Sequence, residues 1–158
     1  MDPSWLCSVS RGFQRAIGAP IGLRRARNWT GRVVPEALEG LLDGGVLLLE
    51  TSEELLPARH VGWIVRALGE RGILAAVDAV LVARPPVSDF TRRPPAEERA
   101  RLRAEQRDVV TGIISRYNPD AVVCAGVPFG HTRPQWILPH GGTITVDGTT
   151  RRVTADYS

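Results

Sequence analysis

The sequence contains no lysine, and all twenty of its basic residues are arginine. That bias reads as the codon composition of a GC-rich genome, not as chemistry. Cysteine is scarce as well: Cys7 and Cys124 have no partners at metal or redox-motif spacing. Cys124 sits in the apolar run 121–125, so a buried, inert thiol is expected, and a reducing cytosol fits. No stretch approaches the roughly 18–20 apolar residues of a membrane span. Nor do the first thirty residues hold an apolar run long enough for a signal-peptide core. These absences predict a soluble, cytoplasmic protein with no membrane partner. Three histidines among scattered carboxylates match no zinc spacing, so neither a metal nor a cofactor is expected. There is no internal repeat.

The net charge of +3 is unevenly spread. Residues 1–32 hold six arginines against Asp2 alone, whereas the other 126 hold fourteen arginines against sixteen acids. The basic character therefore belongs to an N-terminal arm. An arginine-rich arm can bind phosphate, but no regular aromatic interleaving accompanies it here, and a nucleic-acid partner is not expected.

With 158 residues, 43% of them hydrophobic, the chain can build one domain with a core. Glycines and Pro20 interrupt residues 1–32, which are expected to form a poorly structured lead-in, with order beginning near Val33. Val46–Glu50 is an apolar run ending in an acid, and it predicts a strand covered on both faces. Pro57 opens a predicted helix to Arg71, with Val61, Ile64, Val65 and Leu68 inward and Gly72 as its stop. Residues 79–83 predict a second strand, and the proline-rich 84–95 a surface loop. A second helix runs from near Pro95 to Tyr117, with Leu102, Val109, Ile113 and Tyr117 along its apolar edge and Glu97 and Glu98 suiting its N-terminal dipole. Residues 122–125 predict a third strand, and 143–147 with 151–155 a closing hairpin. The order predicts a mixed, β-rich α/β fold for residues 33–158.

Two strand ends carry the chemistry. Glu50 finishes an apolar strand, and a carboxylate so held can orient a histidine and stabilise its imidazolium. His131 follows Gly130 on a loop stiffened by Pro128 and Pro134, and an imidazole there can accept and return a proton near neutral pH. The spacing alone equally allows Glu50 to begin an ordinary loop and His131 to be an ordinary loop histidine. His60, beside Arg59 at a helix start, reads as a partly exposed surface residue. His140 can share the cleft of His131 and is given no role in a reaction.

Together these segments resemble the S66 serine peptidases, the LD-carboxypeptidases and their microcin-immunity relatives. The residues that carry the likeness are Gly45-Val46-Leu47-Leu48-Leu49-Glu50-Thr51-Ser52-Glu53-Glu54, Leu68–Leu74, Phe129-Gly130-His131-Thr132-Arg133-Pro134-Gln135 and Leu138–Gly142. The likeness runs from about Trp29 to Ala155. It implies an LD-carboxypeptidase-like C-terminal domain, with Glu50 and His131 as the acid and base of a Ser-Glu-His triad. It also implies a peptide substrate, either a cell-wall muropeptide or a peptidyl-nucleotide amide, and a tendency to form homodimers.

The family's nucleophile lies on a Gly-x-Ser-Asp turn in a separate N-terminal domain, and no such turn occurs here. Ser8 and Ser10 lie in a segment that matches nothing in the family. The expectation is a fragment, remnant or isolated C-terminal half that hydrolyses peptides negligibly alone and needs a separate nucleophile domain. The alternative is a non-catalytic peptide-binding or dimerisation module derived from the same domain.

Overall fold

The computed structural model describes residues 7–8, 24–28, 42–51, 55–139 and 142–157, with the first two segments described as backbone only. Its elements are β1 (Cys7–Ser8), β2 (Arg24–Asn28), β3 (Gly45–Leu49), α1 (Ala58–Glu70), β4 (Val77–Ala83), α2 (Ala96–Tyr117), β5 (Val122–Val127), β6 (Thr143–Asp147) and β7 (Arg152–Asp156). Strands β2, β3, β4 and β5 are parallel, β1 pairs antiparallel with β5, and the sheet order is β1-β5-β4-β3-β2. Strands β3, β4 and β5 are linked in turn by α1 and α2, the crossovers that parallel pairing requires.

Alternation along the apolar runs explains why they show no sequence period. Val80, Val82, Val123 and Ala125 face the helices and pack with Val61, Val65, Leu68, Val110 and Ile114. Ala79, Leu81, Ala83, Val122 and Cys124 face the other way, onto Ile144 and Val146 of the β6–β7 hairpin and onto Phe129. The sheet is therefore covered on both sides, by two helices and by a hairpin.

Helix α1 ends as its glycine predicts. Gly72 adopts φ +74°, its N–H donates to Gly69 O at 2.9 Å, and Ile73 N–H donates to Leu68 O at 3.0 Å, the paired bonds of a Schellman stop. Helix α2 ends at Asn118, whose amide donates to the carbonyls of Leu74 and Val77 and accepts from Ala121 N–H. That one side chain ties the α1–β4 and α2–β5 connections together at the amino edge of β4 and β5.

Two expectations about the helices are corrected. Ile64 is 49% exposed, because the buried face of α1 turns to include Gly62 and Gly69. Those two glycines let α2 approach closely: a Cβ on Gly62 would meet Val109, and one on Gly69 would strike the ring of Tyr117. The buried stripe of α2 is Gln106, Val110 and Ile114, with Val109, Ile113 and Tyr117 only partly buried beside it. Strands β1 and β2 lie inside the expected lead-in, where backbone pairing with β5 and β3 makes strands that no side-chain period announces. The remainder of residues 1–32 lies outside the described residues.

Cys124 departs from the sequence reading too. It is 1% exposed as expected, yet it is disulfide-bonded and not a free thiol. Its register partner across the β1–β5 ladder is Cys7. Residues brought opposite one another by strand pairing are invisible to a search for short cysteine spacings. Among the described residues no helix is long and apolar enough to cross a membrane.

Candidate functional site

In a parallel sheet the chain leaves every strand at the same edge, and loops gathered there form the usual site for ligands. Here that edge collects Glu50 after β3, Arg84 after β4 and the loop 128–139 after β5.

Glu50 and His131, eighty-one positions apart, meet at this edge. His131 Nδ1 lies 3.5 Å from Glu50 Oε1, and their side chains are 47% and 35% exposed. Between them sits Gly130, at φ +71°. A Cβ built there would coincide with the Glu50 carboxylate, so the acid rests directly against backbone. A side chain is thus excluded twice, by the left-handed conformation and by the space the carboxylate fills.

The loop carrying His131 is tied at both ends. Phe129 is buried beneath it, Trp136 N–H donates to Pro128 O at 2.6 Å, and Gln135 Nε2 donates to Gly130 O at 2.6 Å. From the neighbouring strand Arg84 Nε donates to Thr132 Oγ1 at 2.8 Å and its Nη2 to Arg133 O at 2.6 Å. These charge-assisted bonds, on the residue next to His131 and the one after, hold the imidazole's segment against the sheet. Arg84 is the residue the sequence reading missed. It follows the apolar run 79–83 and reads as the first residue of a proline-rich surface loop, while its partners lie 48–49 positions away.

Beside the pair is a cavity of about 310 Å³ lined by Glu50, Gly130, Gln135, Leu48, Phe129, Trp136, Ile137 and Leu138. Glu50 opens into it, and among the described residues no serine lines it. Ile137 is 82% exposed, and Tyr157 donates its hydroxyl to the Ile137 carbonyl at 2.5 Å, so an apolar rim flanks the acid. His60 is partly exposed at the start of α1 and stacks on Trp63, remote in sequence from this loop. His140 and residues 52–54 lie outside the described residues. Among the described residues no group of three or more His, Cys, Asp or Glu converges.

The family model of the LD-carboxypeptidase C-terminal domain matches residues 30–146. A comparison with curated proteins finds no match. Among solved structures, an MccF-like protein from Streptococcus pneumoniae, in complex with AMP, has 24% identity and a TM-score of 0.59, over 78% of this chain and 31% of that one. MccF in complex with glutamyl sulfamoyl guanosine has 17% identity and a TM-score of 0.59, over 85% of this chain and 38% of that one. MccF, a microcin C7 self-immunity protein, in complex with aspartyl sulfamoyl adenosine, has a TM-score of 0.57 at 17% identity, again over 85% and 38%. At these identities the likeness establishes the fold. The chain spans about a third of the length of these relatives.

Proposed function

The chain belongs to the family of LD-carboxypeptidase C-terminal domains, and from that premise we propose that it is the acid–base half of a serine carboxypeptidase. Glu50 is the orienting acid and His131 the general base. The observation that carries the reading is the 3.5 Å approach of Glu50 Oε1 to His131 Nδ1 across Gly130. With Nδ1 turned to the carboxylate, Nε2 is the atom that takes the proton of an attacking serine hydroxyl and returns it to the leaving amine. Glu50 fixes the tautomer and stabilises the imidazolium that forms between those steps. Relay pairs are commonly this loose before the reacting complex tightens them.

The serine and the oxyanion donors come from a complementary nucleophile domain, and the exposed rim of Trp136 and Ile137 beside Glu50 suits either that domain or substrate. Without them a base and its acid lack covalent catalysis, so the 158-residue chain alone hydrolyses peptides negligibly. The substrate class is a peptide carboxyl terminus, as a muropeptide or a peptidyl-nucleotide amide; the ligands in the MccF complexes favour the second.

The test has two parts. Imidazole ¹⁵N spectra of the chain should show His131 protonated on Nδ1 at neutral pH, with Glu50→Gln shifting the tautomer balance. Combined with a nucleophile domain of the same family, the chain should hydrolyse aspartyl sulfamoyl adenosine or a tetrapeptide. Glu50→Gln and His131→Ala should then each cost on the order of a thousandfold or more. An active pair that tolerates His131→Ala refutes the assignment. Tight peptide binding without turnover in any combination would instead identify a binding module.

A further inference from the structure

On the helical side of the same sheet edge lies a second cleft, of about 260 Å³, between the start of α1 and the first half of α2. Its apolar wall includes Leu56, Val87 and Leu102. Into that wall is set Gln106, the one buried polar side chain among the described residues, at 8% exposure. Its carboxamide makes no hydrogen bond within the described structure. Neither of its polar atoms is sealed from solvent, and the opening is this cleft. Its amide can therefore offer two donors and an acceptor to whatever enters the cleft.

The start of α1 faces the same space through Pro57 and Ala58. This thirteen-residue helix has no side-chain cap and no acid in its first turn. The first N–H groups of a helix have no intrahelical acceptor and form its positive end. Arg92, Arg101 and one carboxylate, Glu105, also line it. The two arginines pair with Glu98 and Glu105, at 3.0 and 3.7 Å, with every side chain at least 37% exposed. Pairs so exposed hold their partners weakly and can re-pair with a ligand anion.

We propose that this cleft binds a carboxylate carrying an apolar group, of about the size of one amino-acid residue. The carboxylate lies at the start of α1 within reach of Arg92 or Arg101. The apolar group packs on Leu56, Val87 and Leu102, and Gln106 hydrogen-bonds the adjoining amide. The site is separate from Glu50 and His131 and does not depend on their assignment.

The experiment is a titration of the ¹⁵N-labelled full chain with N-acetyl-leucine, with N-acetyl-leucinamide as the uncharged counterpart. A probe of about a dozen heavy atoms should bind with a Kd of about 1 mM. It should shift the side-chain NH₂ of Gln106 and the backbone amides of Ala58 and Arg59, saturably. The uncharged probe and Gln106→Leu should each weaken binding about tenfold. Arg101→Ala, at an exposed position, serves if Gln106→Leu fails to fold, and should weaken binding severalfold. The same shifts should survive His131→Ala. Absence of saturable shifts, an equal response to the uncharged probe, or shifts confined to 130–136 and lost in His131→Ala would each overturn the proposal.

Discussion

Gly130 shows how much one missing side chain can decide. Its backbone occupies the left-handed region, and the Glu50 carboxylate stands where a Cβ would be. Gly130→Ala should therefore lower stability by about 1–2 kcal/mol for the conformation alone. It should also displace the acid, so that His131 loses its Nδ1 partner as it does in Glu50→Gln. Urea unfolding measures the first effect and imidazole ¹⁵N shifts the second. At this scale the sequence was informative where chemistry and punctuation coincide: an acid closing an apolar strand, and a histidine between Gly130 and Pro134. It was silent on Arg84 and Gln106. Arg84 works through residues 48–49 positions away, and a glutamine within a charged helical stretch looks solvated until the fold turns it inward.

The two helices meet through their glycines and not through the apolar ladder alone. Gly69→Ala would drive a methyl into the ring of Tyr117, whose hydroxyl donates to Glu70 and whose ionisation is pushed upward by that carboxylate. Overpacking of this kind costs about 1–3 kcal/mol. Gly112, on α2, has nothing near its Cβ position, and Gly112→Ala should stabilise by about 0.5–1 kcal/mol through helix propensity. Opposite shifts of the urea midpoint for the same chemical change are the check. The helical period predicted both helices and nearly their ends, but it counts glycine as neutral, which is why it left Ile64 inside. The hairpin carries its own acid-sensitive latch. Asp147 accepts from Thr149 N–H, Thr150 N–H and the Thr150 hydroxyl, and these bonds, led by that hydroxyl, hold its carboxyl below the usual aspartate range. A lowered folded value means that the stabilisation is full above the ordinary value. It fades as pH falls through the folded one. Protection of the β6 and β7 amides, taken relative to their intrinsic exchange rates, should fall in that acid window, and Asp147→Asn should remove that fall.

Across the whole molecule, one sheet is closed on one side by helices and on the other by a hairpin, and α/β architecture with both faces covered was readable from unbroken apolar strands. What could not be read was pairing between distant segments. Cys124 is in a disulfide, so protein denatured without reductant should titrate no free thiol, and reduction should lower stability by about 2–4 kcal/mol. A full thiol titre would instead describe the reduced, cytosolic chain that the sparse cysteines suggested. The strand order has a further consequence. β1 and β2 are the two outermost ribbons, on opposite margins, and both come from the first 28 residues. A protein trimmed to begin at residue 29, close to where the family match starts, would bare β3 on one flank and β5 on the other. Two open ladders on one body can each recruit a neighbour, so the shortened protein should grow into chains in light scattering while the full one stays discrete.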